Sequence, residues 1–186
     1  EVIQAGGTGY NRSVSCWPMG VPAFLFDRNE PVYFVQTPKE VVMIWEEDQQ
    51  TRHVYLDVPH SSNPRLSWYG ESVGHYENGD TLVVDTTNFN GRFGARRNGS
   101  DLPLSDALHV VERFTRTDPE TLLYEVTVDD PKTWTGPWTV AYPLKQDFEY
   151  GLLEYACHEG NHYAMTNMLS GARAVPNPLA GEHFRM

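Results

Sequence analysis

The sequence has few cysteines, few positive charges and no long hydrophobic run. Only two of its 186 residues are cysteine, which is too few for a zinc framework built on cysteine. Its 14 lysines and arginines are outnumbered by 25 aspartates and glutamates, and the formal net charge is -11. This charge repels phosphate backbones and anionic lipid surfaces, and no apolar run is long enough to span a bilayer. We therefore expect no nucleic-acid partner and no membrane insertion.

What the sequence does contain is a series of short strand-like runs. They are rich in β-branched and aromatic residues and are separated by turn residues rather than by helical periods. The runs are Val32–Thr37, Glu40–Glu46, Thr51–Asp57, Ser72–Tyr76, Thr81–Thr87, Leu108–Thr115, Leu122–Asp129, Trp138–Leu144 and Leu152–Cys157. This spacing predicts a mainly β fold: an antiparallel meander that forms a barrel, of the calycin or lipocalin kind, or a sandwich.

The remaining segments suggest one domain with short extensions. Residues 1–29 are rich in Gly and Pro and predict an extended N-terminal arm. A single β domain then covers residues 30–174, and residues 175–186 form a tail. The one good helix candidate is 161–172, where apolar residues recur at helical spacing. Glu1–Thr8 lacks the pattern of a signal peptide, so we expect a mature form or a fragment.

Asn78-Gly79 is the strongest local turn signal. It lies between two strand-like runs, and both residues tolerate the positive φ of a type I′ turn. In such a hairpin His75 should oppose Leu82, and Ser72 should oppose Asp85.

Cys16 and Cys157 lie near the two ends of the chain. They are either two buried thiols or one disulfide that closes a long loop. Such a bond would stabilise the fold by at most about 4–5 kcal/mol, and it persists mainly in oxidising compartments.

Several strings carry a resemblance to a large family of secreted bacterial proteins that are usually described only as hypothetical. They are Trp68-Tyr69-Gly70, Ser72-Val73-Gly74, Gly79–Phe89, Leu108–Phe114, Asp129-Asp130-Pro131, Pro137-Trp138, Tyr155–Asn161 and Gly171–Ala174. The likeness covers roughly residues 14–174. It implies an exported, periplasmic or secreted protein in which the two cysteines recur, and it brings no established activity.

The chain also departs from that family's pattern. It has one extra residue in the Asn78-Gly79 turn, an Arg-rich loop before Leu108, and His162 where a tyrosine is more usual. The basic cluster Arg92, Arg96 and Arg97 in that loop reads as a solvated loop or as a loop that grips an anion.

Polar residues at otherwise apolar strand positions are the candidates for catalysis. Asp85 ends an apolar run. It is expected to act as a base, or to be hydrogen-bonded and to organise the loop that follows. Glu112 shares a strand face with Leu108, Val110 and Phe114. A core-facing carboxyl group there suits acid/base work, or it pairs with the neighbours of Arg113 or with a tyrosine. His109 has the opposite parity to Glu112, so the two are poor joint metal ligands. Tyr124 is expected to act as an orienting donor.

The string His158-Glu159-Gly160-Asn161-His162 matches the zinc-binding pattern H-E-x-x-H. In a zinc protease both histidines lie on one formed helix, whereas Gly160 and Asn161 are poor helix formers. His158 and His162 are therefore weak metal candidates, and His158 is instead a candidate proton carrier or a pocket-rim residue.

These features predict an extracytoplasmic domain that binds a small, partly apolar molecule. We expect cofactor-independent acid/base chemistry, such as elimination, decarboxylation or isomerisation. The residues expected to carry it are His75, Asp85, Glu112, Tyr124 and His158. One alternative is a non-catalytic module or a subunit of an extracytoplasmic assembly, which would use exposed Trp17, Trp45, Trp134 and Trp138. The other is a metal-dependent hydrolase that uses His158 and His162.

Overall fold

Ten β-strands make up most of the chain that the structure describes. The structure is a computed structural model, and it describes residues 18–26, 31–91, 94–97 and 100–156. The strands are β1 (Val32–Gln36), β2 (Glu40–Trp45), β3 (Gln50–Leu56), β4 (Glu71–Glu77), β5 (Thr81–Thr87), β6 (Gly94–Arg97), β7 (Ser100–Pro103), β8 (His109–Asp118), β9 (Thr121–Asp129) and β10 (Trp138–Lys145). A mainly β fold is therefore confirmed.

Eight of these strands form one curled sheet that makes a half-barrel. Its order is β1-β2-β3-β4-β5-β8-β9-β10, and β6 and β7 pair separately as a small hairpin. Neighbours in the sheet are antiparallel except β3 and β4, which are parallel. The strict antiparallel meander is wrong at this junction, because the long connection 57–70 lets the chain cross over before β4 begins.

The sheet buries one of its faces, the inner face. In β2, Val41, Met43 and Trp45 are buried, whereas the residues between them are partly exposed. The same alternation runs through β3, β8 and β9, as expected where every second side chain points to the core. The outer face of the sheet stays partly open to solvent.

The described part of the predicted N-terminal arm contributes to this core. Met19, Val21, Ala23 and Leu25 are buried, and a short helix α1 (Ala23–Phe26) forms. The backbone N–H of Met19 donates to Oε1 of Gln50 at 3.0 Å. Burial is continuous from residue 19 to residue 23, so both apolar and turn residues of this segment pack onto the half-barrel.

In two segments the conformation differs from the prediction. The stretch interpreted as an Arg-rich loop contains the β6–β7 hairpin. The predicted last strand is wrong over residues 152–156, which have no strand conformation. The backbone N–H of Leu153 donates at 2.9 Å to the Glu46 carboxylate, so a side chain and not a neighbouring strand holds this segment.

The turn at Asn78-Gly79 has the predicted backbone, with φ of 53° and 79°. The predicted register is wrong by one residue. His75 pairs with Val83, and Ser72 pairs with Thr86, because Asp80 adds a third residue to the loop between Glu77 and Thr81.

Several predicted features lie outside the described residues: Cys16, Cys157, the helix at 161–172 and the tail at 175–186. Within the described ranges, no helix has the length and hydropathy to span a bilayer.

Gly70 leads the chain from the crossover into β4. Its φ is +66°, and an added Cβ would collide with the backbone oxygen of Thr87 and approach Phe89 to 3.0 Å. We predict that Gly70→Ala lowers the free energy of unfolding by about 2 kcal/mol or more, through backbone strain and overpacking. Urea denaturation measures the change. Gly136→Ala, where nothing lies within 4 Å, is the control, and equal losses in both variants would contradict the prediction.

Candidate functional site

The inner face of the half-barrel holds a buried polar cluster around Arg52. The side chain of Arg52 is 1% exposed. Its Nε donates to Oγ of Ser72 at 3.1 Å, and one terminal nitrogen donates to Oγ1 of Thr86 at 2.9 Å. The same nitrogen pairs with Oε2 of Glu112 at 2.5 Å. One guanidinium on β3 therefore joins β4, β5 and β8.

Glu112 is completely buried, and its second oxygen also has a partner. The hydroxyl of Tyr124 donates to Oε1 of Glu112 at 2.8 Å. Burial raises the pKa of Tyr124 well above its usual value, and the charge of Glu112 adds to this effect, so the phenol stays protonated and remains a donor. The predicted inward position of Glu112 and its contact with a tyrosine are both observed.

This inner cluster is suited to holding the sheet together. Both oxygens of Glu112 are engaged by Arg52 and Tyr124, and all three side chains are buried. A general base must lie within reach of a substrate, whereas Glu112 is 0% exposed and its partners are both buried. We therefore interpret the cluster as structural.

A second polar cluster, the outer-face cluster, consists of His60, Glu71, Asp85 and His109. Asp85 is on β5 and points to the outer face. His60 Nε2 lies 2.9 Å from Oδ1 of Asp85, and His109 Nε2 lies 2.9 Å from Oδ2. Asp85 lies inside the sheet between β4 and β8, and its partners come from the crossover and from β8, not from the loop after β5.

Glu71 extends the outer-face cluster at the start of β4. His60 Nδ1 lies 3.0 Å from Oε2 of Glu71. The same carboxylate accepts the backbone N–H of Ser61 at 3.1 Å and the Asn88 side-chain amide at 3.3 Å. The result is a continuous chain from Glu71 through His60 and Asp85 to His109.

The histidines and carboxylates of the outer-face cluster favour one another's charged forms. Burial opposes ionisation of Asp85, but hydrogen bonds from His109 and His60 outweigh it and hold the pKa of Asp85 below its usual value. Burial also works to lower the pKa of His60, but its hydrogen bonds to Asp85 and Glu71 outweigh that and raise it. Since both nitrogens of His60 face carboxylates, we assign it as an imidazolium.

In His109 only one ring nitrogen faces a carboxylate, whereas in His60 both do. Nε2 faces an ionised carboxylate and must carry the proton, which leaves a lone pair on Nδ1 in the neutral ring. No described residue hydrogen-bonds Nδ1, and the side chain is 41% exposed. An imidazole fixed by a carboxylate and open on its other side can accept a proton from a ligand.

The site residues predicted from sequence do not come together. Glu112 and Tyr124 meet on the inner face, whereas Asp85 lies on the outer face. His75 is also on the outer face, but it contacts Glu77 at 3.3 Å. His158 and His162 lie outside the described residues, so metal-dependent hydrolysis through them stays a prediction, which metal analysis of the purified protein tests.

Two further expectations concern metals and tryptophans. Among the described residues, no group of three or more His, Cys, Asp or Glu is placed to hold a metal ion.

Trp45, expected to be exposed, is fully buried, because the parity of β2 points it to the core. Trp134 and Trp138 are partly buried. Trp17 lies outside the described residues.

Sequence reasoning missed Arg52, His60 and Glu71. Arg52 could have been found, since it shares strand parity with Val54 and Leu56 and must point inward. His60 and Glu71 carry no such signal, because only the crossover before β4 brings them together.

A comparison with protein-family models, with curated proteins and with solved structures finds no match to this chain. The resemblance to the secreted bacterial family therefore stays a prediction.

The buried ion pair gives a stability prediction. Arg52→Met leaves Glu112 charged and unpaired in the core, which should cost about 3–5 kcal/mol of unfolding free energy. The double variant Arg52→Met/Glu112→Leu should recover much of this loss, because no buried charge is then left unpaired. Urea denaturation of the three proteins measures it.

The matched control breaks an exposed ion pair on the outer face. Arg113 donates to Glu77 at 2.6 Å, and both side chains are over a third exposed. Arg113→Met should cost at most about 1 kcal/mol. A loss for Arg52→Met no larger than this would contradict the structural role of the inner cluster.

Proposed function

We propose that this protein is an extracytoplasmic β half-barrel that binds a small, partly apolar molecule on its outer face and removes a proton from it. His109 is the general base, and Asp85 is the residue that positions it. The observation that carries the proposal is the 2.9 Å contact between Asp85 and a half-exposed His109 whose Nδ1 is open.

The surroundings of Asp85 support an apolar partner. Val73 and Val111 are its register neighbours on β4 and β8, so their side chains flank it on the same face. Tyr55 pairs with Val73 one strand further along, and its side chain is 49% exposed. A flat apolar body can lie on this row while its acidic hydrogen meets His109.

The charge of the site favours a neutral or cationic molecule. The cluster sets two carboxylates, Glu71 and Asp85, against the imidazolium of His60, and the whole chain has a formal net charge of -11. Proton removal by an imidazole needs no organic cofactor and is the first step of an elimination or an isomerisation.

A neutral aromatic probe, 5-nitrobenzisoxazole, tests the base. Its ring opens when a base takes the carbon-bound proton: the C–H electrons form the nitrile, the N–O bond breaks and the oxygen leaves as a phenolate. We predict that His109→Gln lowers the protein-dependent rate at least about 100-fold, because the proton acceptor is lost. Asp85→Asn should also lower it, because the amide stabilises the imidazolium less. Phenolate absorbance gives the rate.

Two further histidines make this test specific. His53→Gln is the matched control, because His53 is a half-exposed outer-face histidine that contacts Glu40 and not Asp85. It should keep the wild-type rate. A rate that survives in His109→Gln contradicts the proposal, and loss of the rate in His75→Gln instead would make His75 the proton carrier.

A non-catalytic binding role is the second candidate. The outer face carries exposed apolar side chains on β1 and β3, which are Tyr33, Val35 and Tyr55. Such a surface suits contact with another protein of an extracytoplasmic assembly. Native mass spectrometry of protein purified from its source separates the candidates: a bound small molecule supports the first, and a stoichiometric protein partner supports the second.

Export and the disulfide belong to the same proposal. They are supported by the resemblance around Cys157 and by the positions of the two cysteines in the sequence. We predict that the denatured, unreduced protein takes up no thiol reagent and that it takes up two equivalents after reduction. Intact mass measures both. Labelling without reduction would contradict the disulfide.

A further inference from the structure

The connection between β3 and β4, residues 57–70, lies beside the outer-face cluster. Its two ends are held by backbone hydrogen bonds. The N–H of Asp57 donates to the oxygen of Gly74 at 2.8 Å, and the N–H of Asn90 donates to the oxygen of Ser67 at 2.9 Å. Between these ends the chain is largely exposed, and Leu66 is among its exposed apolar residues.

His60 and Ser61 fasten the segment between those ends, residues 58–66. His60 bridges Glu71 on β4 and Asp85 on β5 at 3.0 and 2.9 Å, and Ser61 donates its N–H to both oxygens of Glu71. Each contact made by His60 needs a proton on the ring nitrogen, because both acceptors are carboxylates. A neutral imidazole has one such proton and would face a second carboxylate with a lone pair.

We propose that His60 is a proton-operated latch: its imidazolium fastens segment 58–66 against Glu71 and Asp85, and loss of one proton releases the segment. The latch itself rests on the contacts of His60. Its consequence, a more open His109 site and an Asp85 free to reorient, rests on the proposed function.

The groups that face His60 determine the pH range of the latch. They are Glu71 from β4 and Asp85 from β5, with His109 from β8 on the far side of Asp85. The pKa of His60 is raised in the folded protein, so the latch is fully closed below about pH 6.5 and opens as pH rises through the folded-state value. The pKa of Asp85 is lowered, so Asp85 stays ionised across the range in which His60 loses its proton.

Hydrogen exchange at the Ser61 amide reports the latch directly, because this N–H donates to Glu71. We predict that its protection factor, read by NMR and corrected for the intrinsic pH dependence of exchange, falls about tenfold or more between about pH 5.5 and pH 8.5. In His60→Gln the protection should be low and independent of pH. Glu71→Gln should also lose the pH dependence.

Internal controls keep this test decisive. The amide of Val84, in the central strand β5, should stay protected in every variant, which shows that the sheet is folded. His53→Gln should keep the wild-type response. If Ser61 protection in the wild type stays constant across this pH range, the latch is overturned. This result needs no variant, so it holds whether or not the variants fold. A wild-type pH response in a folded His60→Gln also overturns the latch.

The same proteins separate the latch from the proposed base. If His109→Gln keeps the rate with 5-nitrobenzisoxazole while Ser61 protection follows pH, the base is wrong and the latch stands. If the rate depends on His109 while Ser61 protection ignores pH, the base stands and the latch is overturned. If the proposal holds in both parts, His60→Gln alters the pH profile of the rate as well as the exchange.

Discussion

The contact between Arg52 and Glu112 is the constraint on which the rest of the sheet depends. A buried charge is tolerated only with its partner in place, and this partner comes from a strand that lies three positions away in the sheet. The same guanidinium also binds hydroxyl groups on the two strands between them. A slip of any of these strands by one residue would turn a polar group away from the cluster, so the pair selects one register for four strands.

That constraint also separates the two faces of the protein. On the inner face, Arg52, Glu112 and Tyr124 bond to one another and are surrounded by apolar side chains, so these polar groups serve the fold. The outer face keeps carboxylates and imidazoles at the surface, joined in a chain whose end is open to solvent. The same strands carry both sets of groups, because alternate residues of one strand point to opposite faces. Glu112 and His109 lie on the same strand, β8, and they face opposite sides of the sheet because their positions have opposite parity.

Much of the fold follows from local pattern. Alternation placed Glu112 inside, and the positive φ tolerated by Asn78 and Gly79 marked the turn. The parallel pairing of β3 and β4 could not be predicted in this way, because it depends on the path of a crossover that has no periodicity. The outer-face cluster depends on that pairing, which explains why Asp85 was a candidate while His60 and Glu71 were not. The one-residue error in register has a simpler cause, since Asp80 lengthens the loop without changing its turn signal.

The distance in sequence between paired groups has a consequence for how the protein folds. Arg52 and Glu112 are 60 residues apart in the sequence. Strand β5 pairs with β8, and the β6–β7 hairpin lies between these two strands in the sequence. Such pairings require large loops to close before they contribute any stabilisation, and chains dominated by them fold on a scale of roughly milliseconds to seconds. During that interval two charges that end in the core are still hydrated. We expect these two charges to leave water together, because either one buried without its partner would be strongly unfavourable, and this favours cooperative folding.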